Sequence, residues 1–121
     1  MRLPLLIQFV FGPLALLAGV LLIRSSIREV EAAGTTYDPY AQSTELVTAG
    51  IYQYTRNPGY LGLAVIQLGV AILFDSGWIA LTGLAAVMIT TFFVIRLEEE
   101  KLSKQFGQDY RNYCNRVRRW L

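Results

Sequence analysis

Three apolar runs dominate the chain, separated by one long polar segment and one very short one. The first run covers residues 3–23 without a charged side chain, and the other two cover residues 58–74 and 77–95. A helix of about 20 apolar residues crosses the roughly 30 Å hydrocarbon core of a bilayer. The pattern therefore predicts an all-α integral membrane protein with three transmembrane helices.

The connection between the second and third runs consists only of Asp75 and Ser76. Two helices joined by so short a link lie antiparallel and in contact, which predicts a tight helical hairpin. The second run is short for a straight span, and a helix beginning at Pro58 would lengthen it, since proline suits the first helical turn. Asn57 would then be the N-cap residue.

A cleaved signal peptide is the alternative interpretation of the first run, because Arg2 gives the chain a basic start. Residues 3–23 are long for the apolar part of a signal peptide, and no small-x-small cleavage site follows Ile23. We therefore expect a retained transmembrane helix, which could continue beyond the bilayer until Gly34 ends it.

The chain ends in an amphipathic segment, residues 98–121. Its apolar side chains recur at steps of three and four, as on one face of a helix. They are Leu102, Phe106, Tyr110, Tyr113, Val117, Trp120 and Leu121. Basic side chains occupy the other faces, which predicts an interfacial helix at headgroup depth, broken into two by Gly107.

Basic residues are distributed unevenly between the two sides of the predicted membrane. Segment 24–57 contains three and the tail from Arg96 onward contains seven, whereas the turn at residues 75–76 has none. Since basic loops stay on the cytoplasmic side, we expect loop 24–57 and the tail to be cytoplasmic and the N-terminus to lie outside.

Composition narrows the chemistry that the chain can perform. Its 121 residues suffice for one domain, residues 1–121, and 54% of them are hydrophobic. There is no histidine and only one cysteine, Cys114, which excludes histidine general bases and cysteine metal clusters, so we expect no metal site. A net charge of +2 is too small to indicate nucleic-acid binding.

Two patterns carry a family resemblance. One is Gly50-x-Tyr52-x-x-x-Arg56-Asn57-Pro58-x-Tyr60-x-Gly62, and the other is Glu98-Glu99-x-x-Leu102-x-x-x-Phe106-Gly107-x-x-Tyr110-x-x-Tyr113, followed by Val117-x-Arg119-Trp120. Residues 34–121 thereby resemble the family of isoprenylcysteine carboxyl methyltransferases and phospholipid methyltransferases. The resemblance implies a short, prokaryotic-type membrane enzyme that uses S-adenosylmethionine, in a bacterial or archaeal plasma membrane.

The resemblance also implies which residues form the site. Arg56, Glu98 and Glu99 are the expected catalytic residues, with one glutamate holding the amino group of the cofactor. The expected cofactor-binding residues are Gly50, Tyr52, Arg56, Asn57, Pro58, Tyr60, Gly62, Glu98 and Glu99. Asn57 stands where the eukaryotic members have histidine. Without the resemblance, the same residues also fit a solvated helix end, an arginine anchor and interfacial tyrosines.

The implied reaction is methyl transfer from S-adenosylmethionine to a lipid, a lipidated molecule or a small amphiphile at the cytoplasmic face, on a carboxylate or an amine. Such a displacement requires alignment more than a strong base. A non-catalytic membrane scaffold and a membrane reductase that uses a nicotinamide cofactor are the alternatives. Family members usually carry a further N-terminal helix, so we expect either a truncated or compact member, or a homo-oligomer in which a second copy supplies the corresponding wall of the site.

Overall fold

The computed structural model describes residues 3–34 and 46–120, and within these ranges the chain is helical, as predicted, with no β-strand. The helices are α1 Leu5–Ala32, α2 Pro58–Leu73, α3 Gly77–Ile89, α4 Arg96–Phe106 and α5 Gln108–Arg116. A 3₁₀ turn, Gly50–Gln53, precedes α2, and a π-helical segment, Thr90–Ile95, joins α3 to α4. Part of the predicted loop, residues 35–45, lies outside the described residues.

Glycines bring α1 and the antiparallel α2 into backbone contact. Gly12 and Gly19 on α1 pack against Gly69 and Gly62 on α2, about two helical turns apart on each helix. A Cβ atom on Gly19 would lie 2.6 Å from the carbonyl oxygen of Gly62, and one on Gly62 would lie 2.7 Å from that of Gly19. Small residues permit this approach, from which helices in lipid gain van der Waals contact.

The α2–α3 hairpin forms as predicted. Asp75 turns the chain with a φ of +49°, and Ser76 Oγ caps α3 by accepting the N–H of Ile79 at 3.3 Å. The Asp75 carboxylate also accepts the N–H of Leu3 at 3.0 Å, so the turn is tied to the beginning of α1. Across the hairpin, the Gln67 amide donates to the Ile79 carbonyl oxygen at 3.1 Å.

In the part of the chain that the structure describes, two helical stretches, rather than the predicted three, are long and apolar enough to cross a membrane. They are Leu5–Ala32 and Gly77–Phe106. Only 11% of the most apolar part of each is buried, so their apolar side chains face outward, unlike those of a core helix in a soluble protein. Helix α2 has 16 residues, about 24 Å at 1.5 Å per residue, because Pro58 and the turn at Asp75 bound it closely.

The tail forms two helices separated at Gly107, as predicted, where φ is +58°. Part of its apolar stripe, namely Tyr110, Tyr113 and Val117, is buried within the protein, and the interfacial position of the tail stays a prediction. Leu46 and Tyr52, from the segment before α2, are among the side chains that pack against them. The stripe therefore builds a small core with that segment.

We expect Gly19→Ala to lower the stability of the protein, because its Cβ would meet the Gly62 carbonyl and a backbone atom cannot rotate away. Overpacking of this kind costs about 1–3 kcal/mol. Gly77→Ala is the matched control, since a Cβ there meets nothing within 4 Å. Thermal unfolding in detergent should give a lower midpoint for the first variant only, and equal midpoints would contradict the glycine contact.

Candidate active site

The segment before α2 is fastened to α1 and to the tail. The Tyr52 hydroxyl lies 2.7 Å from Ser26 Oγ on α1, and the Tyr113 hydroxyl donates to the Tyr52 carbonyl oxygen at 2.7 Å. Gly50 has a φ of +60°, and the Glu29 side chain occupies the place where a Cβ would stand. Position 50 therefore requires glycine, and the turn that leads into α2 is held from both sides.

Arg56, Glu99 and Arg119 form one ion-pair cluster. Arg56 Nη1 lies 3.0 Å from Glu99 Oε2, and Arg119 contacts both oxygens, with Nε 3.1 Å from Oε2 and Nη2 2.8 Å from Oε1. Arg56 Nη1 also donates to Cys114 Sγ at 3.0 Å. The Arg56 and Glu99 side chains are 15% and 19% exposed, so their pair is largely shielded from water, whereas Arg119 is 39% exposed. Hydrogen bonding to Glu99 raises the pKa of Arg119.

Glu98 has different surroundings from Glu99, because consecutive helical residues point about 100° apart. The Tyr60 hydroxyl donates to Glu98 Oε1 at 2.7 Å. Among the described residues, the other carboxylate oxygen of Glu98 has no hydrogen-bond partner, and the side chain is partly exposed. Glu98 therefore keeps an oxygen that can accept a hydrogen bond from a ligand.

Residues 117–120, which we call the strap, run beside the entry to α2. The carbonyl oxygen of Arg118 accepts the Arg56 N–H at 2.9 Å, and that of Arg119 accepts the Asn57 side-chain amide at 2.7 Å. Helix α2 begins at Pro58 as predicted, but the Asn57 side chain does not cap it. The reason is that the Asn57 side chain is committed to the strap, while Thr55 Oγ1 accepts the Asn57 N–H at 3.2 Å.

Two tyrosines lie beneath the cluster in the small core. Burial, more than any neighbouring charge, raises the pKa of Tyr110 and of Tyr113 above the ordinary value. Both phenols therefore stay protonated near neutral pH, and neither is available as a proton acceptor.

The structure brings most of the predicted site residues to the entry of α2. They are Gly50, Tyr52, Arg56, Asn57, Pro58, Tyr60, Glu98 and Glu99. Gly62 is the exception, because it packs against Gly19. The lack of a side chain at Gly62 therefore serves the close approach of α1 and α2.

Sequence reasoning did not assign Arg119 or Cys114 to the site. Arg119 stands within the tail pattern, yet linear spacing alone could not show that its guanidinium reaches Glu99. Nothing in the sequence signalled that the Cys114 thiol lies on Arg56. Both contacts depend on how the strap returns to the entry of α2.

Comparison with known proteins identifies the family of the chain. A sequence profile described as phospholipid methyltransferase matches residues 7–109, which is most of the chain. The chain belongs to the phospholipid methyltransferase family. The resemblance carried by the two motifs is thereby confirmed.

Relatives of this family member include proteins named protein-S-isoprenylcysteine O-methyltransferase. The Schizosaccharomyces pombe protein is 38% identical over 74 residues, which are 60% of this chain and 30% of that protein. Protein B of Arabidopsis thaliana is 35% identical over 75 residues, which are 60% of this chain and 37% of that protein. The human protein is 30% identical over 93 residues, which are 70% of this chain and 32% of that protein. The chain thus spans about a third of the length of these relatives.

We expect Glu99→Gln to destabilise this family member, because glutamine keeps the shape of the side chain but leaves the shielded Arg56 without its anion. Hydrogen bonds to charged groups contribute about 1.5–3 kcal/mol, and the more exposed Arg119 adds less. Glu100→Gln is the matched control, since Glu100 is exposed one residue further along α4. Thermal unfolding midpoints that are equal for the two variants would contradict the structural role of Glu99.

We expect the stability of the protein to fall at alkaline pH as Tyr110 and Tyr113 ionise. Because burial raises the pKa of both phenols in the folded state, they favour folding fully below about pH 10, and this contribution is lost as pH rises further. The phenolate absorbance of these two side chains should therefore appear only well above pH 10, together with unfolding. If the Tyr110→Phe/Tyr113→Phe variant keeps that late fraction, the assignment is wrong.

Proposed function

We propose that the protein transfers a methyl group from S-adenosylmethionine to a lipid or lipidated acceptor at the membrane face that carries the Arg56–Glu99–Arg119 cluster. The observation that carries the proposal is the direct contact between the two motifs, Arg56 Nη1 to Glu99 Oε2 at 3.0 Å. Residues 43 positions apart build one charged, shielded centre, and perturbed or paired charges of this kind concentrate at functional sites.

The residues at this centre fit the methionyl end of S-adenosylmethionine, which carries an ammonium and a carboxylate. Glu98 has an acceptor oxygen left for an ammonium, and Arg119 is 39% exposed and suited to a carboxylate. Within the described chain, Arg56 Nε is buried and has no hydrogen-bond partner, as expected of a donor meant for a ligand or a water molecule. When bound, the cofactor supplies a methyl group on a sulfonium, and the protein supplies alignment.

The two adjacent glutamates have different roles in this proposal. Glu99 already serves two guanidinium groups, so it organises the centre and holds Arg56 in place. Glu98 has one contact, with Tyr60, and is the glutamate that contacts the ligand. Loss of Glu98 therefore weakens binding and leaves the fold intact, whereas loss of Glu99 affects both.

A carboxylate acceptor suits this centre better than an amine. An amine is protonated near neutral pH and must lose a proton before it can attack a methyl group, whereas a carboxylate needs no base. The Tyr110 and Tyr113 phenols stay protonated and the Glu99 carboxylate is held by two arginines, which leaves Glu98 as the carboxylate of this centre that an amine would need as its base. The O-methyltransferase names of the relatives support the same choice.

The proposed setting is a membrane crossed by α1 and the α3–α4 helix, with α2 packed between them. Helix α2 contacts α1 through glycines and α3 through the hairpin, so it crosses most of the same thickness despite its 16 residues. The basic residues of the tail favour a cytoplasmic position for the charged centre.

We expect the purified protein in detergent to bind S-adenosylmethionine saturably in calorimetry, and Glu98→Gln to weaken that binding at least tenfold, about 1.4 kcal/mol. The unfolding midpoint of Glu98→Gln should stay close to that of wild type, and Glu100→Gln should match wild type in both measurements. Radiolabelled methyl transfer to a prenylated cysteine with a free carboxyl should exceed transfer to a phospholipid amine.

Three results would overturn parts of the proposal. No binding by folded wild-type protein would contradict the use of S-adenosylmethionine and leave the scaffold alternative. Binding of NADPH in its place would favour a reductase. Equal binding by Glu98→Gln and wild type would remove Glu98 from the site.

A further inference from the structure

Arg119 holds Glu99 with a geometry that few residues can reproduce. Its Nε and Nη2 reach the two carboxylate oxygens at 3.1 and 2.8 Å, which is the two-bond fork that the planar guanidinium allows. Arg56, by contrast, reaches Glu99 through Nη1 alone. The orientation of the Glu99 carboxylate plane therefore depends chiefly on Arg119.

The backbone of the strap is bonded to the segment that carries Arg56. Arg118 accepts the Arg56 N–H at 2.9 Å, and Arg119 accepts the Asn57 side-chain amide at 2.7 Å. Arg119 thus bonds to the entry of α2 through its main chain and to α4 through its side chain. Arg119 therefore adds a second link between the two motifs, beside the direct contact of Arg56 with Glu99.

Trp120 anchors the far end of the strap on the helix that carries the glutamates. Its indole N–H donates to Thr91 Oγ1 at 3.0 Å, and that hydroxyl donates in turn to the Val87 carbonyl oxygen at 2.8 Å. Thr91 lies in the π-helical segment Thr90–Ile95, which leads directly into α4. A π turn holds an extra residue, so its register decides which way the side chains that follow it point. Trp120 therefore fastens the segment that sets the direction of Glu98 and Glu99.

We propose that the strap is a positioning device for the candidate active site, in which Arg119 orients Glu99 and the Trp120–Thr91 hydrogen bond holds Arg119 in place. The inference rests on the proposed function for its effect on S-adenosylmethionine binding, and on geometry alone for the position of Arg119. Trp120 and Thr91 are positioning residues, since each acts through Arg119, and Arg119 orients Glu99 in addition to the ligand contact proposed above.

The first test reads the position of Arg119 without any ligand. In ¹⁵N-arginine-labelled protein, the Arg119 Nε–H signal should be protected from solvent exchange in wild type, because it is bonded to Glu99. Trp120→Phe and Thr91→Val each remove one partner of the anchor while keeping the size of the side chain. Each should raise the exchange rate of that signal at least fivefold, and the double variant should raise it no further, since both changes break one bond.

Matched controls come from the same two residue types. Trp78 is the other tryptophan and is 79% exposed, and Thr90 is the neighbouring threonine. Trp78→Phe and Thr90→Val should leave the Arg119 signal protected. If the anchor variants also leave it protected, or if the controls expose it equally, the inference is overturned.

The second test measures ligand affinity at a temperature where every variant is folded. Arg119→Gln should weaken S-adenosylmethionine binding about tenfold, Arg119→Lys should recover part of the loss, and Arg111→Gln, which removes an exposed charge on α5, should have no effect. If wild type binds and Arg119→Gln binds equally well, the positioning role is wrong. If wild type does not bind S-adenosylmethionine but the anchor variants expose the Arg119 signal, the positioning of Arg119 by the strap is confirmed and the proposed function is wrong.

Discussion

The carboxylate of Glu99, held between two guanidinium groups, is the interaction on which the rest of this end of the molecule depends. One arginine comes from the segment before α2 and the other from the strap, so the ion pairs join three parts of the chain that are distant in sequence. A shielded charge is costly unless it is paired, so Arg56 and Glu99 depend on each other most, and the more exposed Arg119 adds to the pair. The ion pairs with Glu99 therefore help to hold the segment before α2 and the strap against α4.

The opposite end of the molecule is organised by helix packing and by a hydrogen bond to the hairpin turn. Helices α1 and α2 meet through paired glycines, and the hairpin turn is tied back to the beginning of α1 through Asp75. These contacts give the short helix α2 a rigid support, and α2 begins where Arg56 and Asn57 stand. The rigid helix pair therefore fixes one half of the charged centre, while α4 and the strap bring the other half.

Much of the fold followed from local pattern. The apolar runs, Pro58, the two-residue link and Gly107 predicted the helices, the hairpin and the break in the tail, because each acts within a few residues of itself. Predictions that depended on what covers a surface were less successful. An apolar stripe on the tail fits contact with lipid as well as contact with protein, and part of it packs on the segment before α2. The N-cap expected from Asn57 is absent because its side chain donates to the Arg119 carbonyl oxygen, 62 residues away. The predicted number of spans was also wrong, since length and apolarity single out two helices among the described residues.

The sequence by itself determined that this is a helical member of a methyltransferase family, since two motifs in order and long apolar runs are visible along the chain. It also predicted Arg56 and the two glutamates as site residues. Only the tertiary structure separated Glu98 from Glu99 and added Arg119 and Cys114 to the cluster. The physical reason is that the type of a residue determines which groups its side chain can bind, whereas the group that it does bind depends on which distant segments of the chain pack beside it.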